Sequence, residues 1–339
     1  WVYEEEFSFV RAFEWNMASN KLAYIRFDET EVPEFSMDVY EDGLYPSKQT
    51  FKYPKAGEKN SLVSLHFYDL VKKEKFQIDL KSFEQYYIPR IQWTQEADQL
   101  VITTINRHQN NLNLISFLAD KNETSLLLNE KDAAYINIKD DLTFLHDNSF
   151  IWSSDSHGYN HLYHYDSKGK LKNQITSGSW EVTKYYGFDK KTKRVFYQST
   201  EEGSINRSIY SIDIAGKKKK KLSNFVGTNS AAFSNSFNYF VNTYSSATMP
   251  TNYTLVDAKT GEELKEIKNN LNLLDTHKEF NLPEKEFSTL KTENGEFNMW
   301  MIKPKDFDPN KQYPLLMFQY SGPGSQSVAN RWNNPWRHD

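Results

Sequence analysis

The chain has 339 residues, with 45 acidic side chains against 41 lysines and arginines and a formal net charge of -4. Without an excess of positive charge there is no broad basic surface for a polyanion, so we expect no nucleic-acid partner. The absence of cysteine excludes disulfides, cysteine-ligated zinc and thiol catalysis but leaves the compartment open. No apolar run is long enough to span a membrane, no signal sequence is visible, and the length is enough for about two domains.

Residues 1–6 read WVYEEE, so two aromatic side chains lead directly into three carboxylates. Adjacent carboxylates repel one another, and a chain usually separates them unless a cation binds there. Two interpretations stay open at this point. The run is either an acidic surface turn, which is the commoner fate of a charge run, or part of a site for a cation.

A strand–turn–strand pattern recurs five times along the chain, beginning at residues 9–27. Each copy is followed by a second hairpin whose first strand ends in an aspartate, and these aspartates are separated by 51, 46, 47 and 44 residues: Asp69, Asp120, Asp166, Asp213 and Asp257. A period in the mid-forties with four short strands is typical of β-propeller blades. We predict a mainly β fold with about five to six blades. A β-sandwich is the alternative, and the regularity of the repeat disfavours it.

Residues 28–59 interrupt this rhythm, because they are too long and too rich in proline for one blade turn. Long ordered insertions in compact domains are often functional, so we expect a functional insertion here. The lysine run at residues 217–221 follows Gly216 and is typical of a charged hairpin turn; a polyanion site is the weaker alternative.

The pattern changes near Pro283. Residues 269–278 are polar and typical of a linker, and a hairpin is expected around the ENG turn at residues 293–295. Residues 313–320 read YPLLMFQY, a continuous apolar run that predicts a strand buried on both faces of an α/β sheet. We therefore predict a propeller over residues 1–283 and the first strands of an α/β domain over residues 284–339.

Two clusters of reactive residue types are weak candidates. Residues 154–157 contain serine, aspartate and histidine, but triad members meet through the fold rather than in a tetrapeptide, so a hairpin turn is expected. His157, His161 and His164 suggest a metal site. His161 and His164 would face opposite sides of a strand, however, and no acidic residue completes a ligand set, so we predict blade-surface or packing histidines and no metal.

Five motifs in consistent order carry a resemblance that covers nearly the whole chain. They are WVYEEE at residues 1–6, TEVP at 30–33, YPKAG at 53–57, GSWEV at 178–182, and YPLL at 313–316 with YSGPGSQ at 320–326. Together they resemble the landmarks of the dipeptidyl peptidase IV family, serine peptidases of the prolyl oligopeptidase type, in a bacterial version. The resemblance implies an eight-bladed propeller that caps an α/β-hydrolase domain. It also implies a serine protease that removes N-terminal dipeptides with proline or alanine in second position, and an insertion near residues 1–59 that takes part in substrate recognition.

The same resemblance implies roles for three residues. Glu5 and Glu6 would hold the α-ammonium of a peptide with a free N terminus, since two carboxylates supply both the acceptors and the charge that a desolvated ammonium needs. Tyr320 would donate its hydroxyl to the oxyanion of the tetrahedral intermediate. No cofactor is implied. Without the resemblance, Tyr320 would be read as an ordinary aromatic residue at a strand end.

The sequence also departs from the family pattern. No Gly-x-Ser-x-Gly nucleophile elbow occurs in these residues, so the catalytic serine, acid and histidine are expected outside them, as is the arginine that binds the substrate carbonyl. We expect an internal piece, truncated at both ends and inactive alone. Its intact parent is expected to be a homodimeric enzyme of the bacterial periplasm or cell surface.

Two other functions are considered. A propeller that serves only as a protein-interaction module would have no use for the hydrolase-like residues 313–326. A related propeller-capped endopeptidase or acylpeptide hydrolase would gain nothing from an ammonium site, so the role of Glu5 and Glu6 discriminates between these enzymes.

Overall fold

The computed structural model describes residues 2–81, 83, 87–320, 322 and 324–332. The chain divides into two compact units. Unit 1 comprises residues 1–151 and 165–170, and unit 2 comprises residues 152–164 and 171–339. The two helices of the described residues, four and nine residues long, are both too short to cross a membrane.

Unit 1 opens with a short helix followed by two four-stranded antiparallel sheets and an inserted hairpin. In the first sheet β1, β2, β5 and β6 pair in that order, β3 and β4 form the hairpin, and the second sheet runs from β7 to β10. The elements are α1 (Val2–Glu5), β1 (Phe13–Trp15), β2 (Lys21–Asp28), β3 (Glu34–Val39), β4 (Ser47–Lys52), β5 (Leu62–Asp69), β6 (Glu74–Gln77), β7 (Tyr87–Trp93), β8 (Gln99–Ile105), β9 (Asn111–Leu118) and β10 (Glu123–Lys131).

A third four-stranded sheet follows in the chain, then two more four-stranded sheets, a helix and a hairpin. Within each sheet the strands pair in chain order. The elements are β11 (Thr143–Phe144), β12 (Phe150–Ser154), β13 (His161–Tyr165), β14 (Leu171–Gln174), β15 (Val182–Asp189), β16 (Arg194–Ser199), β17 (Ser208–Asp213), β18 (Lys220–Lys221), β19 (Thr228–Phe233), β20 (Tyr239–Ser246), β21 (Met249–Asp257), β22 (Glu263–Lys268), α2 (Leu271–Glu279), β23 (Lys285–Thr292) and β24 (Gly295–Ile302).

The predicted β-propeller fold is confirmed. Five four-stranded antiparallel sheets stand in sequence in the described residues, and each takes its strands consecutively apart from the one insertion. The insertion predicted at residues 28–59 is the β3–β4 hairpin between β2 and β5. The turn predicted at the lysine run joins β17 to β18, although Lys220 and Lys221 of the run form β18 itself. The turn predicted at residues 154–157 joins β12 to β13.

The repeated aspartates hold the turn that follows the third strand of a sheet. One carboxylate oxygen of Asp257 accepts hydrogen bonds from the amides of Lys259 and Thr260, at 2.9 and 2.7 Å. Asp166 accepts from the amides of Lys168 and Lys170, both at 2.9 Å. These backbone hydrogen bonds hold the pKa of both carboxyl groups below its usual value. The sequence period therefore reflects one local structure, an Asx turn that recurs in successive blades.

Asp120 is the exception, because it takes part in an ion-pair cluster inside unit 1. The buried ammonium of Lys21 contacts Asp98 and lies 3.2 Å from an oxygen of Asp120. Lys21 begins β2 of the first sheet, whereas Asp98 and Asp120 flank β8 and β9 of the second. The hydrogen bond from Lys21 lowers the pKa of Asp120. The cluster ties the two sheets together by charge.

The core of unit 1 is formed by apolar side chains from both of its complete sheets. Leu65 and Phe67 of β5 pack in one cluster with Leu100 of β8 and Phe117 of β9. Nearly every residue of β8 and β9 is buried, since both faces of these strands are covered. By contrast, β2 alternates between buried and more exposed side chains. Propeller blades bury their apolar faces against neighbouring blades in this way.

Two local predictions are wrong in this structure. Most of the linker expected at residues 269–278 lies in helix α2 (Leu271–Glu279), which buries none of its side chains and so leaves no apolar periodicity to detect. Residues 313–320 form no strand, and Leu315, Leu316 and Met317 are 81%, 95% and 78% exposed. A strand needs a hydrogen-bonding neighbour, and no strand among the described residues pairs with this segment. The boundary between domains at residues 283 and 284 stays a prediction.

Candidate functional site

Helix α1 is anchored in unit 1 by Tyr3, which is only 5% exposed. Its ring meets four aromatic rings edge-on, at centroid distances of 4.9 to 5.9 Å: Phe7, Phe9, Phe27 and Tyr87. Such contacts contribute about 0.5–1.5 kcal/mol each beyond the burial of area. Phe7, four residues after Tyr3, is also buried, so the two rings turn one side of this segment inward.

The hydroxyl of Tyr3 fixes the helix to the second sheet of unit 1. Its oxygen accepts a hydrogen bond from the backbone amide of Ile88 at 2.9 Å. Burial raises the pKa of Tyr3 well above its usual value, although the hydrogen bond from Ile88 opposes that effect. Tyr3 therefore stays neutral while it holds α1 in place.

With Tyr3 and Phe7 facing inward, the carboxylates of Glu4, Glu5 and Glu6 are all exposed. Glu5 ends the helix, and the amide of Glu6 donates to the carbonyl of Val2 at 2.9 Å. In the part of the chain that the structure describes, no basic side chain forms an ion pair with Glu5 or Glu6. The two predicted amine-binding residues thus stand next to each other at the end of an anchored helix.

A residue that the sequence did not point to contacts this pair. The hydroxyl of Tyr135 donates a hydrogen bond to Oε1 of Glu6 at 2.9 Å. Partial burial of this 43% exposed side chain, together with the neighbouring carboxylate, raises the pKa of Tyr135 to about 12. Tyr135 lies in the loop between β10 and β11, and 129 residues separate it from Glu6. No sequence signal could have brought the two together.

The chain just after the glutamates is held by Arg90. Its Nη2 donates to the carbonyl of Phe7 at 2.8 Å, and its Nε donates to Asp140 at 2.6 Å. Ser8, the residue after Phe7, adopts a φ of 48°, which turns the chain away from the helix. Arg90 and Asp140 are therefore further residues of this region that pattern analysis missed.

A cleft of about 220 Å³ opens beside this turn. Its basic and acidic side chains are paired with each other, Arg11 with Glu14 and Arg90 with Asp140. Neither Glu5 nor Glu6 is among the residues that line this cleft. The lining residues are Ser8, Phe9, Val10, Arg11, Glu14, Pro89, Arg90, Ile91 and Asp140.

Tyr320, the third predicted site residue, belongs to unit 2. Its side chain is 70% exposed and follows the segment that forms no strand. The predicted rigid strand that would aim its hydroxyl is therefore missing in this structure. Ser321 and Pro323 of the same motif, like Trp1 of the first motif, lie outside the described residues.

His161 and His164 of β13 are buried packing residues, whereas His157 in the preceding turn is exposed. His161 is buried, with Nε2 3.0 Å from the carbonyl of Gly178 and Nδ1 3.0 Å from the hydroxyl of Thr176. A carbonyl can only accept, so Nε2 carries the proton and Nδ1 accepts from Thr176. His157 contacts the hydroxyl of Tyr163 at 3.0 Å. Both nitrogens of His161 are thus used inside the protein.

The fold defines the class: this is a β-propeller protein in which an anchored helix presents two glutamates. Residues 1–251 match the family described as "Dipeptidyl peptidase IV (DPP IV) N-terminal region". The chain belongs to the dipeptidyl peptidase IV family. This finding confirms the resemblance carried by the sequence motifs.

Individual relatives agree with this assignment. The chain is 30% identical to a probable dipeptidyl peptidase 4 of Arthroderma benhamiae, over 98% of this chain and 45% of that protein. The crystal structure of Porphyromonas gingivalis dipeptidyl peptidase 4 matches with a TM-score of 0.94 and 43% identity, over 100% of this chain and 48% of that one. A putative dipeptidyl aminopeptidase IV from Bacteroides ovatus shares the fold, with a TM-score of 0.84 at 23% identity, over 98% of this chain and 50% of that one. The chain thus spans about half the length of the relatives it matches.

Proposed function

We propose that this chain supplies the amine-recognition part of a serine exopeptidase that removes Xaa-Pro or Xaa-Ala dipeptides from peptides with a free N terminus. The supporting observation is the state of Glu5 and Glu6: two exposed carboxylates at the end of an anchored helix, with no basic partner among the described residues. An α-ammonium has three donors and one positive charge, which matches what the two carboxylates offer.

The proposed mechanism divides the work between residues. Glu5 and Glu6 bind the substrate ammonium and so set the distance from the N terminus to the scissile bond. Tyr320 donates its hydroxyl to the developing oxyanion once its segment is ordered as a strand, since an oxyanion site needs a donor held by a rigid element. The nucleophile, its acid and its histidine are contributed by residues outside this chain, so the chain alone has no activity.

Kinetics of the full-length enzyme that contains this chain test the proposal. Replacing Glu5 or Glu6 by Gln removes a charge and keeps the shape. Loss of one partner of a charge pair costs about 2–5 kcal/mol, or roughly 30-fold to several thousandfold in kcat/KM for Gly-Pro-p-nitroanilide. Glu4→Gln is the matched control, because Glu4 is exposed in the same run, and it should change kcat/KM by less than about twofold. Equal effects of all three variants would contradict the proposal.

The family resemblance supports three further proposals. The enzyme is a homodimer, it resides in the periplasm or on the cell surface, and residue 283 ends the propeller. Light scattering, cell fractionation and limited proteolysis test these in turn. The alternative of an endopeptidase or acylpeptide hydrolase predicts turnover of N-blocked peptides that exceeds turnover of free ones.

A further inference from the structure

The hydrogen bond from Tyr135 to Glu6 comes from a loop that is itself held in place. The carboxylate of Asp132 accepts from the amides of Ala134 and Tyr135, at 2.7 and 3.2 Å. The amide of Ile136 donates to the carbonyl of Gln109 at 2.7 Å. The loop after β10 is thus tied both to itself and to the turn between β8 and β9. The Tyr135 hydroxyl that contacts Glu6 is therefore carried by a loop whose position is held by hydrogen bonds.

A tyrosine hydroxyl orients a carboxylate without cancelling its charge. It occupies one acceptor position on Oε1 of Glu6 and leaves the other lone pairs of both oxygens open. A lysine in the same place would neutralise the carboxylate that the substrate ammonium has to meet. The hydroxyl also restricts the rotamers of an exposed glutamate, which would otherwise have to be ordered when the substrate binds.

A second tyrosine–glutamate pair, in unit 2, differs from Tyr135 and Glu6 because its carboxylate also has a basic partner. Tyr210 donates to Glu202 at 3.3 Å, but Glu202 also lies 2.7 Å from the ammonium of Lys221. That carboxylate is neutralised by a basic side chain of the protein. Glu6 accepts a hydrogen bond from Tyr135 and, in the described part of the chain, forms no ion pair with a lysine.

We propose that Tyr135 is a positioning residue, whose hydroxyl holds the Glu6 carboxylate in the orientation that binds the α-ammonium of the substrate. This inference rests on the proposed function. It adds a residue from a distant loop to the amine site, and it predicts that the affinity for free N termini depends on a group that does not itself touch the ammonium.

Tyr135→Phe in the full-length enzyme isolates the hydroxyl, since the ring and its packing are kept. With Gly-Pro-p-nitroanilide we expect kcat/KM to fall by about tenfold, mainly through a higher KM, because the ammonium contact is made in the ground state and the transition state alike. Tyr210→Phe is the matched control, which removes a tyrosine–glutamate hydrogen bond from unit 2. It should leave KM unchanged within about twofold in protein that is shown to be folded.

A double-mutant cycle separates positioning from a general structural effect. Once Glu6→Gln has removed the charge, adding Tyr135→Phe should cost less than about twofold, so the two effects should not multiply. Fully multiplicative losses would overturn the inference, as would an unchanged KM in Tyr135→Phe. If Glu6→Gln alone has no effect, the proposed function fails. If Glu6→Gln is impaired and Tyr135→Phe is not, only the positioning role fails.

Discussion

Tyr3 and Ile88 are joined by a 2.9 Å hydrogen bond from the backbone amide of Ile88 to the phenolic oxygen of Tyr3. This bond fixes a four-residue helix that would be too short to be stable alone. The acidic run that follows Tyr3 therefore has a defined place on the surface.

Tyr3→Phe should lower the free energy of unfolding by about 1–3 kcal/mol. The substitution leaves the amide of Ile88 without its partner in a buried position, and a buried unsatisfied donor costs roughly that amount. Urea denaturation at pH 7 measures the change. Tyr24→Phe is a suitable control, because the ring of Tyr24 stacks on His66 rather than holding α1. Equal stability of wild type and Tyr3→Phe would contradict the anchoring role.

The turn between β13 and β14 has no room for a side chain at Gly169. A Cβ there would lie 1.6 Å from the carbonyl oxygen of Leu127, and the residue has a φ of 80°. Gly158 has a φ of 92° but nothing within 4 Å of a Cβ. Gly158→Ala should therefore cost about 1–2 kcal/mol, the penalty of the left-handed conformation alone. Gly169→Ala should lower the free energy of unfolding by clearly more than Gly158→Ala does, and thermal unfolding of the two variants tests this order. Equal losses of stability would contradict the close approach of Gly169 to the carbonyl oxygen of Leu127.

His161 predicts a dependence of stability on pH. Burial lowers the pKa of His161, and its Nδ1 is occupied by the hydroxyl of Thr176. As the pH falls, His161 of the unfolded chain binds a proton near pH 6.5, whereas His161 of the folded protein binds one only at a lower pH. The free energy of unfolding therefore decreases from about pH 6.5 downward until the pH has passed the pKa of the folded protein. His161→Asn should reduce the slope of unfolding free energy against pH between about pH 7 and 5. A slope identical to wild type would exclude His161 as a source of this dependence.

The blade pattern could be predicted because it rests on local chemistry. Asp166 and Asp257 each close a turn within four residues of themselves, so the same signal recurs in the sequence wherever a third strand ends. The alternation of buried side chains in β2 and the almost complete burial of β9 likewise follow from which faces are covered.

The candidate site could be predicted only in part. Glu5 and Glu6 stand out because adjacent carboxylates are unusual and belong to a motif. The contact between Glu6 and Tyr135 depends on how a loop after β10 folds back, and no periodicity encodes it. The apolar run at residues 313–320 predicts a strand that this structure does not form, because apolarity indicates burial but cannot supply a pairing partner.

The central claim, that Glu5 and Glu6 bind a substrate ammonium, is tested most directly by discrimination between free and blocked peptides. The measurement is the ratio of kcat/KM for a free and an N-acetylated Xaa-Pro substrate, in wild-type full-length enzyme and in Glu6→Gln. An acetylated substrate brings no cation, so it gains nothing from either carboxylate. We predict a strong preference for the free substrate in wild type that falls by at least about tenfold in Glu6→Gln. An unchanged ratio would contradict the claim and return Glu4, Glu5 and Glu6 to the role of an acidic surface turn.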